Sequence, residues 1–160
     1  MDVCQNGSSP DAQGKPWPLY IYENSRVLPR YFVVNATRAF PDAHSLLTAM
    51  STASLGGLSS VAYVQAKDST GLPAAHSGSA AGDVGVQAYE ADDVSLRVTA
   101  RGSSVLICSM NYSPYWRAYV DGRETRVVQA DSTFVGVPVP GGSHRVELRY
   151  QPPYAWFFPG

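Results

Sequence analysis

Charge is scarce in this sequence. Only 16% of its 160 residues are Asp, Glu, Lys or Arg, against roughly 25% in ordinary soluble domains. Twelve basic and thirteen acidic side chains leave a formal charge of -1, so there is no electrostatic footprint for nucleic acid or anionic lipid. Cysteine is nearly absent: Cys4 stands in a polar leader and Cys108 in the apolar run SSVLICSM. A disulfide between them is one reading; a buried small hydrophobe plus a tail thiol is the favoured one. There is no 18-residue apolar run to span a bilayer, and the opening MDVCQNGSSPDAQGKPWP lacks the apolar core of a signal peptide. The chain is expected to be soluble by itself.

Catalytic templates are missing as well. The sequence holds no G-x-S-x-G elbow, P-loop, H-E-x-x-H or C-x-x-C. His44, His76 and His144 fall in a helix start, a loop and a turn without ligand spacing, so neither a metal nor a cofactor is expected. A glycosidase needs only two carboxylates about 5–9 Å apart, which sequence leaves open. Glu90, Asp92 and Asp93 are better explained as a solvated strand connection, and no catalytic residue is assigned.

What the chain has in quantity is apolar and turn-forming residues: 44% hydrophobic, with 14 Gly and 12 Pro. That mixture, at this length, suits one turn-rich β-domain. Residues 1–18 are polar and are expected to form a leader without regular structure. LYIYEN and RYFVVNATRAF have strand composition, separated by a Pro-bounded loop. In DAHSLLTAM the period changes: Leu46, Leu47 and Met50 recur at helical spacing behind Asp42, a good N-cap, and predict a short helix over Ala43 to Met50.

SSVAYVQA returns to strand chemistry around Val61 to Gln65, and KDSTGLPAAHSGSAAGD is a long loop. From Val84 onward seven β-runs follow at short spacing: VGVQAYE, DVSLRVTA, SVLICSMN, WRAYVDG, ETRVVQA, TFVGVPV and HRVELRYQ. The fold class is therefore mainly β, an antiparallel, jelly-roll-like sandwich over residues 19–151 with one short N-terminal helix. Alternation sends Val94, Leu96 and Val98 to one face and Ser95, Arg97 and Thr99 to the other; Val146, Leu148 and Tyr150 oppose Arg145, Glu147 and Arg149. Asp121-Gly122 predicts a tight hairpin joining the Trp116 strand to the Thr125 strand, because a type I′ turn needs positive φ at both central residues.

NYSPYWRAYVDG concentrates the aromatic side chains. In a strand from Trp116, Trp116, Ala118 and Val120 share the core face while Arg117 and Tyr119 face the other way. Tyr112 and Tyr115 flank the Pro114 turn. With Tyr119 they are the candidate rings for stacking on a sugar face.

Several separated motifs, in order from about Leu19 to the end, together resemble the C-terminal extracytoplasmic region of YfhO-like bacterial membrane proteins. YENSRVLPR carries Tyr22, Glu23, Asn24, Leu28, Pro29 and Arg30; YWRAYVDG carries the tryptophan strand and its Asp-Gly hairpin; VPVPGGSHRVELRYQPP carries a closing hairpin at Gly141 and Gly142. One departure is Tyr115, which stands where the family usually has Gly between the proline and the tryptophan. The resemblance implies a region lying between membrane helices of a polytopic, glycosyltransferase-like protein associated with glycosylation of cell-envelope polymers. It also implies that the catalytic carboxylates lie in an early loop outside this chain, leaving the fragment inert.

On that reading the domain sits on the extracytoplasmic face of the bacterial membrane. Its partners are the rest of the parent protein and a cell-envelope glycan or lipid-linked sugar. Glu23, Asn24 and Arg30 form a candidate docking cluster; the plainer alternative is a Glu–Arg pair tying two strands. The closing PPYAWFFPG, residues 152–160, brings Tyr154, Trp156, Phe157 and Phe158, ring types that settle at a bilayer interface, so a membrane helix is expected to follow it in the parent. Asn35-Ala-Thr37 and Asn111-Tyr-Ser113 match the glycosylation acceptor pattern, which arises often by chance. The expected role is that of a non-catalytic lid, docking surface or acceptor-binding module. Rival roles are a carboxylate donor to a composite active site, an autonomous carbohydrate-binding module, and a structural scaffold.

Overall fold

A computed structural model of the chain describes residues 2–10, 16–24, 27–74 and 82–153. The expected aromatic tail beyond Pro153, His76 and the side chain of Cys4 lie outside that description.

The strands are β1 (Asp2–Pro10), β2 (Pro16–Glu23), β3 (Tyr31–Val34), β4 (Ala36–Phe40), β5 (Val61–Gln65), β6 (Gly82–Tyr89), β7 (Asp93–Ala100), β8 (Ser104–Asn111), β9 (Trp116–Val120), β10 (Arg123–Thr125), β11 (Val128–Ala130), β12 (Phe134–Val139) and β13 (Gly142–Tyr150). Between β4 and β5 lie α1 (Ala43–Ser51) and α2 (Leu55–Leu58). As the sequence predicts, Asp42 caps α1, its Oδ1 accepting the Ser45 N–H at 2.8 Å. The one-turn α2 was not anticipated; its two glycines argue against a helix, and Ser54, whose Oγ accepts the Gly57 N–H at 3.1 Å, supports it.

The mainly-β expectation holds. A five-stranded sheet, β10-β9-β13-β7-β6, packs against a six-stranded one, β3-β8-β12-β11-β5-β4. Among the described residues all the strand pairings are antiparallel except β4 with β5, whose connection runs through the two helices. The principal core lies between the sheets: Val94, Leu96, Val98, Val146 and Leu148 from one, Leu106, Cys108, Val135, Val137 and Val139 from the other. Alternation buries Val94, Leu96, Val98, Val146 and Leu148 and exposes Arg97, Arg145 and Arg149 as expected, but Ser95, expected on the opposite face, is buried as well, and Tyr150 is only half-buried. Strand β8 is buried on both faces because its second face meets a smaller core of Val34, Ala62, Val64, Val105, Ile107 and Ala130, which explains its unbroken apolar run.

Two departures have clear physical reasons. ETRVVQA, expected as a single strand, divides: β10 belongs to the five-stranded sheet and β11 to the six-stranded one. Val127 packs on the principal core and Ala130 in the smaller one, so the chain changes sheets between them. Where a leader without regular structure was expected, β1 and β2 pair as an antiparallel ribbon with Val3 opposite Tyr22 and Cys4 opposite Ile21. Antiparallel pairing satisfies the backbone N–H and C=O groups of both segments, and the ribbon joins neither larger sheet.

The run RYFVVNATRAF breaks at Asn35. Its first half pairs with β8 and its second half with β5. Those partners lie toward opposite ends of the sheet order, so the hydrogen-bonded circuit closes on itself through Asn35. This corner leaves the Asn35 Oδ1 buried without a hydrogen-bond partner, together with Thr37 Oγ1 close by.

Candidate functional site

The Asp121-Gly122 turn fixes the geometry of the aromatic segment. Both residues have positive φ, 51° and 76°, as the hairpin requires. The register then sets Glu124 opposite Tyr119 and Thr125 opposite Ala118. On the exposed face of this ribbon Arg117 Nη1 lies 3.7 Å from Glu124 Oε1.

Where β9 begins, an open groove of about 480 Å³ is lined by Tyr112, Ser113, Pro114, Trp116, Arg117, Glu124, Thr125, Arg126 and Val127. Trp116 and Tyr112 are half-buried and pack on the principal core. The Trp116 indole N–H donates to the Asn111 carbonyl at 3.2 Å, and its ring sits 5.1 Å from that of Tyr150. Arg126 donates through Nη2 to the carbonyl of Thr70, so the groove wall is braced from a distant loop. The result is an aromatic floor edged by hydroxyls, guanidinium groups and a carboxylate.

The three candidate tyrosines do not share this groove. Tyr112 lines it. Tyr115 packs edge-on against Tyr150, with ring centroids 6.3 Å apart, and its carbonyl accepts the Gln151 N–H at 2.9 Å. Tyr119 lies under Arg149, whose guanidinium carbon is 5.1 Å from the ring centroid. Among the described residues positive φ outside glycine occurs at Asp121, Asp131 and Ser132. Tyr115 therefore has no left-handed backbone. Arg117, Glu124 and Arg126 escaped the sequence reading, although the Asp-Gly register alone sets Glu124 across from Tyr119, on the face that Arg117 shares.

Arg30 leads into a second groove. Its Nη2 donates to the Tyr89 hydroxyl at 2.9 Å and its guanidinium carbon lies 4.9 Å from the Tyr89 ring centroid and 5.9 Å from that of Tyr31. Pro29, Val84 and Val86 complete a groove of about 380 Å³ between the β3 and β6 edges of the sandwich. Burial raises the Tyr31 pKa, against the opposing pull of the Arg30 charge. Among the described residues no ion pair joins Glu23 to Arg30; the arginine turns to tyrosines instead. Glu23 and Asn24 are exposed at the end of the N-terminal ribbon.

Among the described residues no helix is long and apolar enough to cross a membrane, and no three His, Cys, Asp or Glu side chains group as a metal site. No curated protein and no solved structure matches the chain. A family model described as bacterial membrane protein YfhO matches residues 52–157, from the end of α1 through β13 and into the aromatic tail. With well over half its length covered by that match, the chain belongs to the YfhO family of bacterial membrane proteins.

Proposed function

We propose that this chain is a non-catalytic, extracytoplasmic accessory domain of a polytopic, glycosyltransferase-like membrane protein that serves cell-envelope glycosylation. Its groove beside β9 receives part of a glycan acceptor. The observation that carries this reading is the pairing of Tyr112 and Trp116 in one open groove with Arg117, Glu124, Thr125 and Ser113 at its rim. A pyranose ring has an apolar face and a hydroxyl-bearing edge. Aromatic rings meet the first, and charged or hydroxyl groups hydrogen-bond the second.

Titrating the 160-residue chain with cell-envelope glycan fragments while following tryptophan fluorescence tests it, since Trp116 lines the groove. A saturable change that Tyr112→Ala removes supports a glycan site. A flat response across the fragments defeats it and leaves a scaffold.

The Arg30 groove supports a second role for the same domain, docking onto the rest of the parent protein. Val86 and Tyr89 there are 56% and 54% exposed, unusual for large apolar side chains on one edge. Arg30→Glu in the full-length parent is the corresponding test: loss of activity with unchanged glycan binding assigns this groove to docking, and full activity removes it from that role.

A further inference from the structure

Both ring nitrogens of His144 face acceptors. Nδ1 lies 2.7 Å from Asp121 Oδ2, and Nε2 lies 3.2 Å from the carbonyl oxygen of Gly141. A neutral imidazole carries one N–H and satisfies one of these two; only the imidazolium donates to both. The other Asp121 oxygen accepts the Arg145 N–H at 2.9 Å, while the Asp121 N–H donates to the Arg145 carbonyl at 2.8 Å. The tip of the β9–β10 hairpin is thus tied to the start of β13, and through one imidazole to the β12–β13 turn.

What this tie holds is a thin wall. Strand β10 has three residues and pairs with β9 at the edge of its sheet. Glu124 and Thr125 line the groove beside Trp116, and they also line a separate groove of about 470 Å³ with Val120, Asp121, Arg123, Pro138 and Pro140. Few backbone bonds secure the strand that separates the two, so the hairpin tip contributes a large share of its restraint.

We propose that His144 is a proton-operated clamp: as an imidazolium it bridges Asp121 and Gly141 and holds the β9–β10 wall in place, and as a neutral ring it releases one of those bonds and loosens the wall between the two grooves. The link from wall to glycan rests on the function proposed above; the clamp itself does not. Among the described residues, Asp121 is the charged group that acts on the imidazole. Asp121 faces it from the hairpin, with Arg123 helping to keep that carboxylate charged. From β7 its partner is Val98, and Arg97 pairs with Arg145 on the exposed face. The Asp121 hydrogen bond raises the His144 pKa, and the same bond lowers that of Asp121. The clamp is therefore complete below the ordinary imidazole range and above the ordinary carboxylate range; it weakens as pH rises through the raised His144 value.

Nuclear magnetic resonance on the 160-residue chain tests this by following the His144 ring and the amide exchange of Arg123, Glu124 and Thr125 between about pH 5 and pH 8. His144 is expected to titrate above the ordinary imidazole range. Protection of the β10 amides, corrected for intrinsic exchange, should fall several-fold as His144 loses its proton, with α1 unchanged. Asp121→Asn tolerates the same positive φ and should return His144 to an ordinary titration and make β10 protection independent of pH. His144 titrating in the ordinary imidazole range, or β10 protection in the unsubstituted chain that ignores pH, overturns the clamp. Glycan affinity measured along the same titration separates the two ideas: a working clamp with pH-independent affinity keeps the clamp and removes the wall from glycan binding.

Discussion

Asp131 and Tyr63 hold each other at both ends. The Asp131 N–H donates to the Tyr63 carbonyl at 2.7 Å, and the Tyr63 N–H donates to Asp131 Oδ1 at 2.9 Å. This reciprocal pair locks β5 to the turn between β11 and β12, where Asp131 and Ser132 both have positive φ.

Burial raises the Asp131 carboxyl from 3.8 to about 6, although the Tyr63 N–H favours the charged form. A raised acid pKa means that the folded chain holds this proton more firmly than the unfolded chain. The associated stability is complete below about pH 4 and disappears as pH rises through about 6; at about 1.4 kcal/mol per pH unit it amounts to about 3 kcal/mol. Asp131→Asn keeps the oxygen that Tyr63 needs and accepts the turn geometry. Urea unfolding across this range should show the variant more stable than the parent above pH 7 and flatter with pH; equal stability at pH 8 would refute the buried-carboxyl account.

Tyr112 and Tyr115 should separate by function. Tyr112→Ala removes one of the two rings of the groove floor and is expected to abolish the fluorescence response to glycan. Tyr115→Ala removes an edge-on contact with Tyr150, worth about 0.5–1.5 kcal/mol, and should leave glycan affinity within about twofold. Thermal melts alongside the titrations distinguish these effects, and loss of binding on Tyr115→Ala alone would relocate the site to the Tyr115–Tyr150 surface.

Gly136 is a packing requirement of the six-stranded sheet. A Cβ there would approach Val128 Cγ2 to 2.8 Å and Ala130 Cβ to 3.2 Å. Gly136→Val is expected to cost at least about 1–3 kcal/mol through overpacking, read as a lower urea midpoint. An unchanged midpoint would show that β11 yields at no cost.

Cys108 is free and fully buried, and burial pushes its thiol far above the ordinary range. With Cys4→Ser in place to silence the other thiol, a disulfide reagent should react with Cys108 only at the rate of unfolding. Rapid labelling of the folded protein would place this side chain at the surface.

Much of the framework was legible in local pattern. Alternation located the core faces of β7 and β13, Asp42 announced its helix, and Asp121-Gly122 gave its hairpin, because each depends on neighbours in sequence. The grooves were less so. Tyr89 meets Arg30 and Thr70 meets Arg126 across long stretches of chain, and no periodicity carries such contacts. Tyr115 and Tyr119 were grouped with Tyr112 by proximity in sequence; the turn and the pleat send each to a different neighbour. Asp131 gave no signal at all, since its partner Tyr63 lies on another strand.

The corner at Asn35 also dictates an order of assembly. During synthesis β3 and β4 leave the ribosome long before β8, the partner that aligns Tyr31 with Cys108, and the circuit is completed only when β11 and β12 bridge β5 to β8. Such distant pairings delay collapse until most of the chain is available. A nascent chain stalled before Phe134 would hold Val33, Val34 and Val105 to Ile107 as sticky, unclosed ribbons, making it a natural client for chaperones.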